Sequence, residues 1–202
     1  MKPIRVALIP AHCPGEILID LVQELSLRDF FIVVVNDGSG SEYEPLFAEV
    51  SLCAVVLTQR EEQGRGAAIR AALTYLRQHF PFHYTIVTMD ADGKYRLGDA
   101  EHVCRIAEEN RGALVLGART QKGQPLRTRL SSRLSSIWFK LTTGAKIGDT
   151  TTGLRAFADD LVPQLLELDD GHDKYEQRVL TYCARKHIPL AEIKVKTVQY
   201  DT

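Results

Sequence analysis

At 202 residues the chain is the size of one domain, long enough to bury roughly 70% of its unfolded surface without a covalent staple. A hydrophobic share of 45% and a charged share of 25% exclude disorder, collagen and low complexity. Lys and Arg number 25 against 26 Asp and Glu; the net charge of −1 excludes a general nucleic-acid coat, which needs a large basic surplus.

In chain order, short apolar runs rich in β-branched residues predict buried strands at 4–9, 30–35, 53–57, 84–89 and 113–116. Helical patterns lie between and after them at 16–25, 43–50, 67–79 and 99–108. This alternation predicts an α/β fold: a mostly parallel central sheet with helices on both faces. Further on, 125–141 reads as helix, 144–157 as irregular or strand, 161–168 and 175–186 as helices. Residues 188–200 read as a strand in which Ala191, Ile193, Val195 and Thr197 alternate with polar neighbours. The single domain then has two parts, the alternating 1–118 and a differently patterned 119–202. The end at Asp201-Thr202 reads either as truncation before a C-terminal extension or as a strand at the sheet edge.

The start MKPIRVALIPAH is too short and polar for a signal peptide, and no apolar run approaches the roughly 18 residues of a membrane span. Cys13, Cys53, Cys104 and Cys183 form no CxxC pair, which argues against a disulfide framework or zinc site and for buried thiols in a reducing compartment. A cytoplasmic location is the expectation.

In open α/β sheets ligands bind beyond the carboxyl ends of the strands, so the residues after each strand carry the functional weight. Asp90-Ala91-Asp92 leaves the fourth strand, where two carboxylates two apart suit a hard divalent cation shared with diphosphate oxygens. The same residues also serve plain turns; a third strand-end acid, Asp37 in Asn36-Asp37-Gly38-Ser39, favours the ligand site. Gly64-Arg65-Gly66-Ala67-Ala68 opens a helix whose N-terminus and arginine favour an anion, or else packs closely. Ile69 at the third glycine position disfavours a Rossmann dinucleotide site.

Residues 118–148 hold Arg119, Lys122, Arg127, Arg129, Arg133, Lys140 and Lys146 and no acid. Leu126, Leu130, Leu134, Ile137, Trp138 and Leu141 span about 120° of a helix, with Arg129, Arg133 and Lys140 beside that arc. Such a helix either meets an anionic membrane surface or faces the core with a solvated basic side. The near-zero net charge therefore averages a polarised chain: 159–176 carries seven acids against one lysine. Asp149 to Phe157 sets an acid and Arg155 around Gly153, as a phosphate-binding group or an internal ion pair. Asp169, Asp170 and Asp173 with Glu176 enter a helix. His12 is a pocket-wall candidate, and His172 has no partner at metal-ligand spacing. The chain contains no GxxxxGK[ST] and no GxSxG, so neither a P-loop nor a hydrolase elbow is present.

Together IPAHCPGE, VVVNDGSG, QGRGAAIRAAL, TMDADG, GAR, DTTTGLRAF and KYEQ resemble a family-2 glycosyltransferase of GT-A fold, over almost the whole chain. GAR, the basic segment and DTTTGLRAF resemble its polyprenyl-phosphate branch, the dolichyl- and undecaprenyl-phosphate sugar transferases. The resemblance implies a nucleotide-binding half (1–118), an acceptor-side half (119–202) and inverting transfer from a UDP- or GDP-sugar to a polyprenyl phosphate or another acceptor, at the inner face of a membrane, with Mg2+ or Mn2+. Pro10, Ala11, Glu16, Asp37, Arg65 and Asp90 would hold the nucleotide sugar, and Asp90 and Asp92 the metal. Arg119, Arg127, Arg129 and Arg133 would meet acceptor phosphate. Asp92, Asp149, Arg155 and Glu176 would be the catalytic group. Lys94 stands where relatives often carry Gln, and His12 and Cys13 where they carry Tyr and Asn. Two other readings remain open: a peripheral membrane or adaptor module with little turnover, and a sugar-phosphate nucleotidyltransferase. A processive polysaccharide synthase is disfavoured, because Trp138 lies in no QxxRW motif.

Overall fold

A computed structural model describes residues 3–80, 83–119, 147–168 and 175–196. The predicted helix at 125–141 lies outside the described residues. So do Arg127, Arg129 and Arg133, the lysines at 122, 140 and 146, and the 169–174 loop.

The described residues form one seven-stranded sheet. Strands β1 (Ile4–Ala11), β2 (Phe30–Asp37), β3 (Val55–Gln59), β4 (Tyr84–Thr88) and β5 (Leu114–Arg119) follow the expected order. They alternate with helices α1 (Ile17–Ser26), α2 (Glu44–Val50), α3 (Arg65–His79) and α4 (Leu97–Glu109). Strand β6 (Arg155–Ala158), α5 (Val162–Leu166), α6 (Tyr175–Arg185) and β7 (Leu190–Val195) complete the fold. The spatial order is β3-β2-β1-β4-β6-β5-β7.

Apolar residues on both faces of the strands create two cores. In β1, Ala7 and Ile9 face α1, α2 and α4, whereas Val6 and Leu8 face α3, α5 and α6. This is the period-two alternation of a strand buried on both sides. Strand β7 sits at the edge and is buried less: Ala191, Ile193 and Val195 turn inward while Glu192 and Lys194 are exposed. That is the alternation expected for a strand packed on one face.

One expectation needs correction. Cys53 lies in an exposed turn before β3 rather than in the strand, and Cys13 is also exposed; only Cys104 and Cys183 are buried. The sheet is mostly parallel, as expected, with β6 running antiparallel between β4 and β5. The consequence reaches the site. Parallel strands β1, β2, β4 and β5 all end at one edge of the sheet, and an antiparallel β6 must begin there. Arg155, its first residue, pairs with Thr88, the last of β4. The segment 149–154 is thereby delivered to the edge where Asp37 and Asp90 emerge.

Candidate active site at the carboxyl edge of the sheet

Pro10 and Ala11 are buried at the end of β1, and the exposed Glu16 immediately precedes α1. The buried Asp37 carboxylate accepts hydrogen bonds from the amides of Gln63 (2.8 Å) and Gly64 (2.9 Å), pinning the loop after β3 to the end of β2. Gly38 lets the backbone turn there. Its φ is +66°, and a Cβ would run into the backbone of Glu61 and Glu62. His12 Nδ1 lies 2.7 Å from the Asp37 carbonyl, which can only accept; Nδ1 therefore carries the proton and Nε2 faces the Cys13 thiol at 3.4 Å.

Asp37 thus sets the entry to α3, and α3 delivers Arg65. Arg65 Nη1 pairs with Asp90 Oδ1 at 2.6 Å, and its Nη2 reaches the Gly153 carbonyl at 3.4 Å. Its Nε lies 2.5 Å from Glu176 Oε1 without aiming its N–H along that line, so this is an ion contact rather than a directed hydrogen bond. The three charged side chains are about one-quarter to one-third exposed. Asp90 also rests against Gly153, where any Cβ would overlap its carboxylate. Thr88 and Tyr95 fix that glycine: Thr88 Oγ1 donates to its carbonyl at 2.9 Å, and its amide donates to the Tyr95 hydroxyl at 3.2 Å. Burial, first of all, holds the Tyr95 phenol above its usual value.

Asp92 is held by Lys94, with Nζ 2.6 Å from Oδ2 and the Lys94 amide 3.1 Å from Oδ1. That hydrogen bond is the main reason the Lys94 ammonium titrates above its ordinary value.

On β5, Arg119 grips the buried Asp149 through Nε (2.8 Å) and Nη2 (3.2 Å), and its backbone amide approaches the same carboxylate at 3.3 Å. Thr151 adds its amide and hydroxyl. Burial works against ionising Asp149, yet the Arg119 and Thr151 hydrogen bonds and the Arg119 charge hold its carboxyl below the usual range.

Arg155 is fully buried and donates to the carbonyls of Thr150, Thr152 and Glu176. Burial pulls its guanidinium down to about 10. The structure therefore uses Arg155 as an internal brace for 149–154 and the start of α6, not as an exposed phosphate clamp. The expected internal ion pair exists, but Arg119 rather than Arg155 is the partner of Asp149. Of the expected residues, the sheet edge brings Asp37, Arg65, Asp90, Gly153 and Glu176 into one linked group. Asp92 sits beside it, while Arg119 and Asp149 form a separate pair. Sequence reasoning missed the roles of Thr88, which opens TMDADG, and of Tyr95, which follows it; only the antiparallel entry of β6 gives them a partner in Gly153.

Among the described residues no three His, Cys, Asp or Glu side chains form a ready metal cage. No described helix is long and apolar enough to cross a membrane.

The profile of glycosyl transferase family 2 matches residues 7–160. The chain belongs to this family. The glycosyltransferase is 28% identical over 176 residues to an uncharacterised protein of Methanocaldococcus jannaschii, covering 83% of this chain and 70% of that one. It is 25% identical over 214 residues to the UDP-N-acetylglucosamine–dolichyl-phosphate N-acetylglucosaminyltransferase of Methanococcus voltae, covering 95% and 84%. Glucosyl-3-phosphoglycerate synthase from Mycobacterium tuberculosis, crystallised with Mn2+, UDP and glucosyl-3-phosphoglycerate, shares the fold. The TM-score is 0.72 at 14% identity, over 100% of this chain and 73% of that one. The fold is GT-A, and the chain is a nucleotide-sugar glycosyltransferase.

Proposed function

We propose that this glycosyltransferase moves a sugar from a nucleoside-diphosphate sugar to a polyprenyl phosphate, with inversion, using a divalent cation held by Asp90 and Asp92. The observation that carries the reading is the Asp90 carboxylate at the end of β4, walled by Gly153 and faced by Arg65. The similarity to the dolichyl-phosphate enzyme supports the acceptor class.

The donor set fits the cation. Magnesium and its relatives bind through one or two carboxylates plus substrate phosphates rather than in closed protein cages. Two neighbouring carboxylates, with no cage of three such ligands among the described residues, match that pattern. When bound, the cation supplies Lewis-acid stabilisation of the negative charge that builds on the departing diphosphate.

The remaining work falls to the chain. Pro10, Ala11 and Asp37 border the nucleoside, with Glu16 at the rim. Arg65, at the first turn of α3, adds a second positive charge and the helix N-terminus to the diphosphate side. An acceptor phosphate oxygen attacks the anomeric carbon as its bond to the diphosphate oxygen breaks, and the nucleoside diphosphate leaves. A phosphate monoester is already ionised near neutral pH, so no strong base is required. The basic residues of 118–148 supply positive charge for that phosphate or for an anionic membrane. Asp149 and Arg155 act by bracing the loop that shapes Asp90.

The test is a transfer assay with UDP- and GDP-sugars, Mn2+ and short-chain polyprenyl phosphates. The expected product is a lipid-phosphate sugar, absent for Asp90→Asn. Donor consumption with none of these acceptors would refute the acceptor, and no transfer or hydrolysis from any donor would refute the activity.

A further inference from the structure

Each carboxylate of the Asp90-Ala91-Asp92 pair carries a cation of the chain's own: Arg65 on Asp90 and Lys94 on Asp92, both at 2.6 Å. The two cations differ in their surroundings. Arg65 is about one-quarter exposed and has a second anchor on Glu176 and a third on the Gly153 carbonyl. Leaving Asp90 therefore does not strand it as an uncompensated buried charge. Lys94 projects from a turn with 62% of its side chain exposed, and it feels Asp90 as well as Asp92. It can swing away at little cost beyond its own ion pair.

A divalent ion entering alone would have to strip both carboxylates of bonded cations and leave four positive charges crowded at one strand end. A diphosphate entering alone would meet two carboxylates whose charge is already spoken for. Arriving together they exchange partners: the carboxylates take the metal, and Arg65 and Lys94 take phosphate oxygens.

From this geometry, and resting on the metal-dependent reading above, we infer that Arg65 and Lys94 are surrogate counter-ions that make metal and nucleoside-diphosphate binding mutually dependent. The nucleotide-free protein then holds metal weakly. The coupling is reciprocal by linkage: UDP must tighten Mn2+ by the same factor by which Mn2+ tightens UDP. The position of Lys94, two residues beyond Asp92 and hydrogen-bonded to it through both its amide and its ammonium, makes it a positioning residue for this exchange.

The experiment measures Mn2+ binding by loss of the free-ion electron paramagnetic resonance signal, with and without UDP, on intact protein. Calorimetry of UDP with and without Mn2+ closes the cycle. In the wild type, UDP is expected to tighten Mn2+ by about 100-fold, the upper part of the usual range for coupled sites. Without UDP, Lys94→Gln should bind Mn2+ about threefold more tightly, as for loss of an exposed ion pair. Arg65→Gln should gain about tenfold, as for loss of a bidentate-capable partner. In both variants the UDP-dependent enhancement should shrink, to below about tenfold in the double variant. Lys94 is exposed and leaves the fold intact, so its result stands even if Arg65→Gln is destabilised. The inference is overturned if Lys94→Gln binds Mn2+ no more tightly than wild type without UDP, or keeps the full UDP enhancement. The metal reading itself fails separately, and this inference with it, if wild type binds UDP equally with and without Mn2+.

Discussion

Replacing Asp149 by Asn should unfold the protein more readily rather than act on chemistry alone. The Asp149 carboxylate accepts from the Arg119 Nε, Nη2 and backbone amide and from the Thr151 amide and hydroxyl. Its side chain is 8% exposed, and that of Arg119 23%. An Asn at this position turns an NH2 toward the guanidinium, donor against donor, and leaves Arg119 half-buried without a counter-charge. Removing one partner of a buried pair costs about 3–5 kcal/mol, and the residual exposure of Arg119 places this case near about 3. For a domain of this size about 1 kcal/mol moves Tm by about 2–4 °C, so the fall should be about 6–12 °C by calorimetry. The effect has a pH signature. The folded carboxyl is held below its unfolded value near 3.9, so its contribution is complete above that value and is lost as pH falls through the folded one. The difference between wild type and variant should be flat above about pH 5 and shrink below about pH 4. The double variant Arg119→Met/Asp149→Leu should regain most of the stability, because it removes both charges. A Tm change under about 2 °C together with lost sugar transfer would refute this reasoning and make Asp149 a group that acts on substrate.

Other outcomes follow from the same geometry. Gly153→Ala should displace the Asp90 carboxylate and weaken Mn2+-dependent donor binding by at least about tenfold, or about 1.4 kcal/mol, in calorimetry. Unchanged affinity would mean that Gly153 does not shape the site. Arg155→Lys should lower the urea midpoint, since one ammonium cannot serve the carbonyls of Thr150, Thr152 and Glu176, and each unpaired buried group costs about 1–3 kcal/mol. In a thiol titration near pH 8, Cys13 and Cys53 should react in the native protein. Cys104 and Cys183, whose thiols burial pushes up to about 12 and about 11, should react only on unfolding.

The strands before Arg119 were legible because each is a short apolar run with turn residues after it, and strand ends locate a ligand edge in this class of fold. That logic points to Asp37 and Asp90, and the glycine-flanked start of α3 points to Arg65. It could not find the direction of β6: Arg155–Ala158 is four residues long and reads alike in a parallel or an antiparallel pairing. Nor could it pair Arg119 with Asp149, 30 residues apart with no periodic relation. Arg155 misled for a related reason. A lone arginine beside an acid suggests an ion pair, whereas burial and three carbonyls decide its role here. The Lys94–Asp92 contact depends on the shape of one turn, which composition and spacing leave open.

In the proposed reaction Asp90 holds a divalent cation shared with the donor's diphosphate. Calorimetric titration of UDP- and GDP-sugars into wild type and Asp90→Asn, each with and without Mn2+, tests it most directly. At least one donor should bind the wild type in a Mn2+-dependent manner, and Asp90→Asn, still folded by its thermal transition, should lose the Mn2+-dependent part. Mn2+-independent binding of every donor, or an Asp90→Asn variant that responds to Mn2+ as the wild type does, would contradict it.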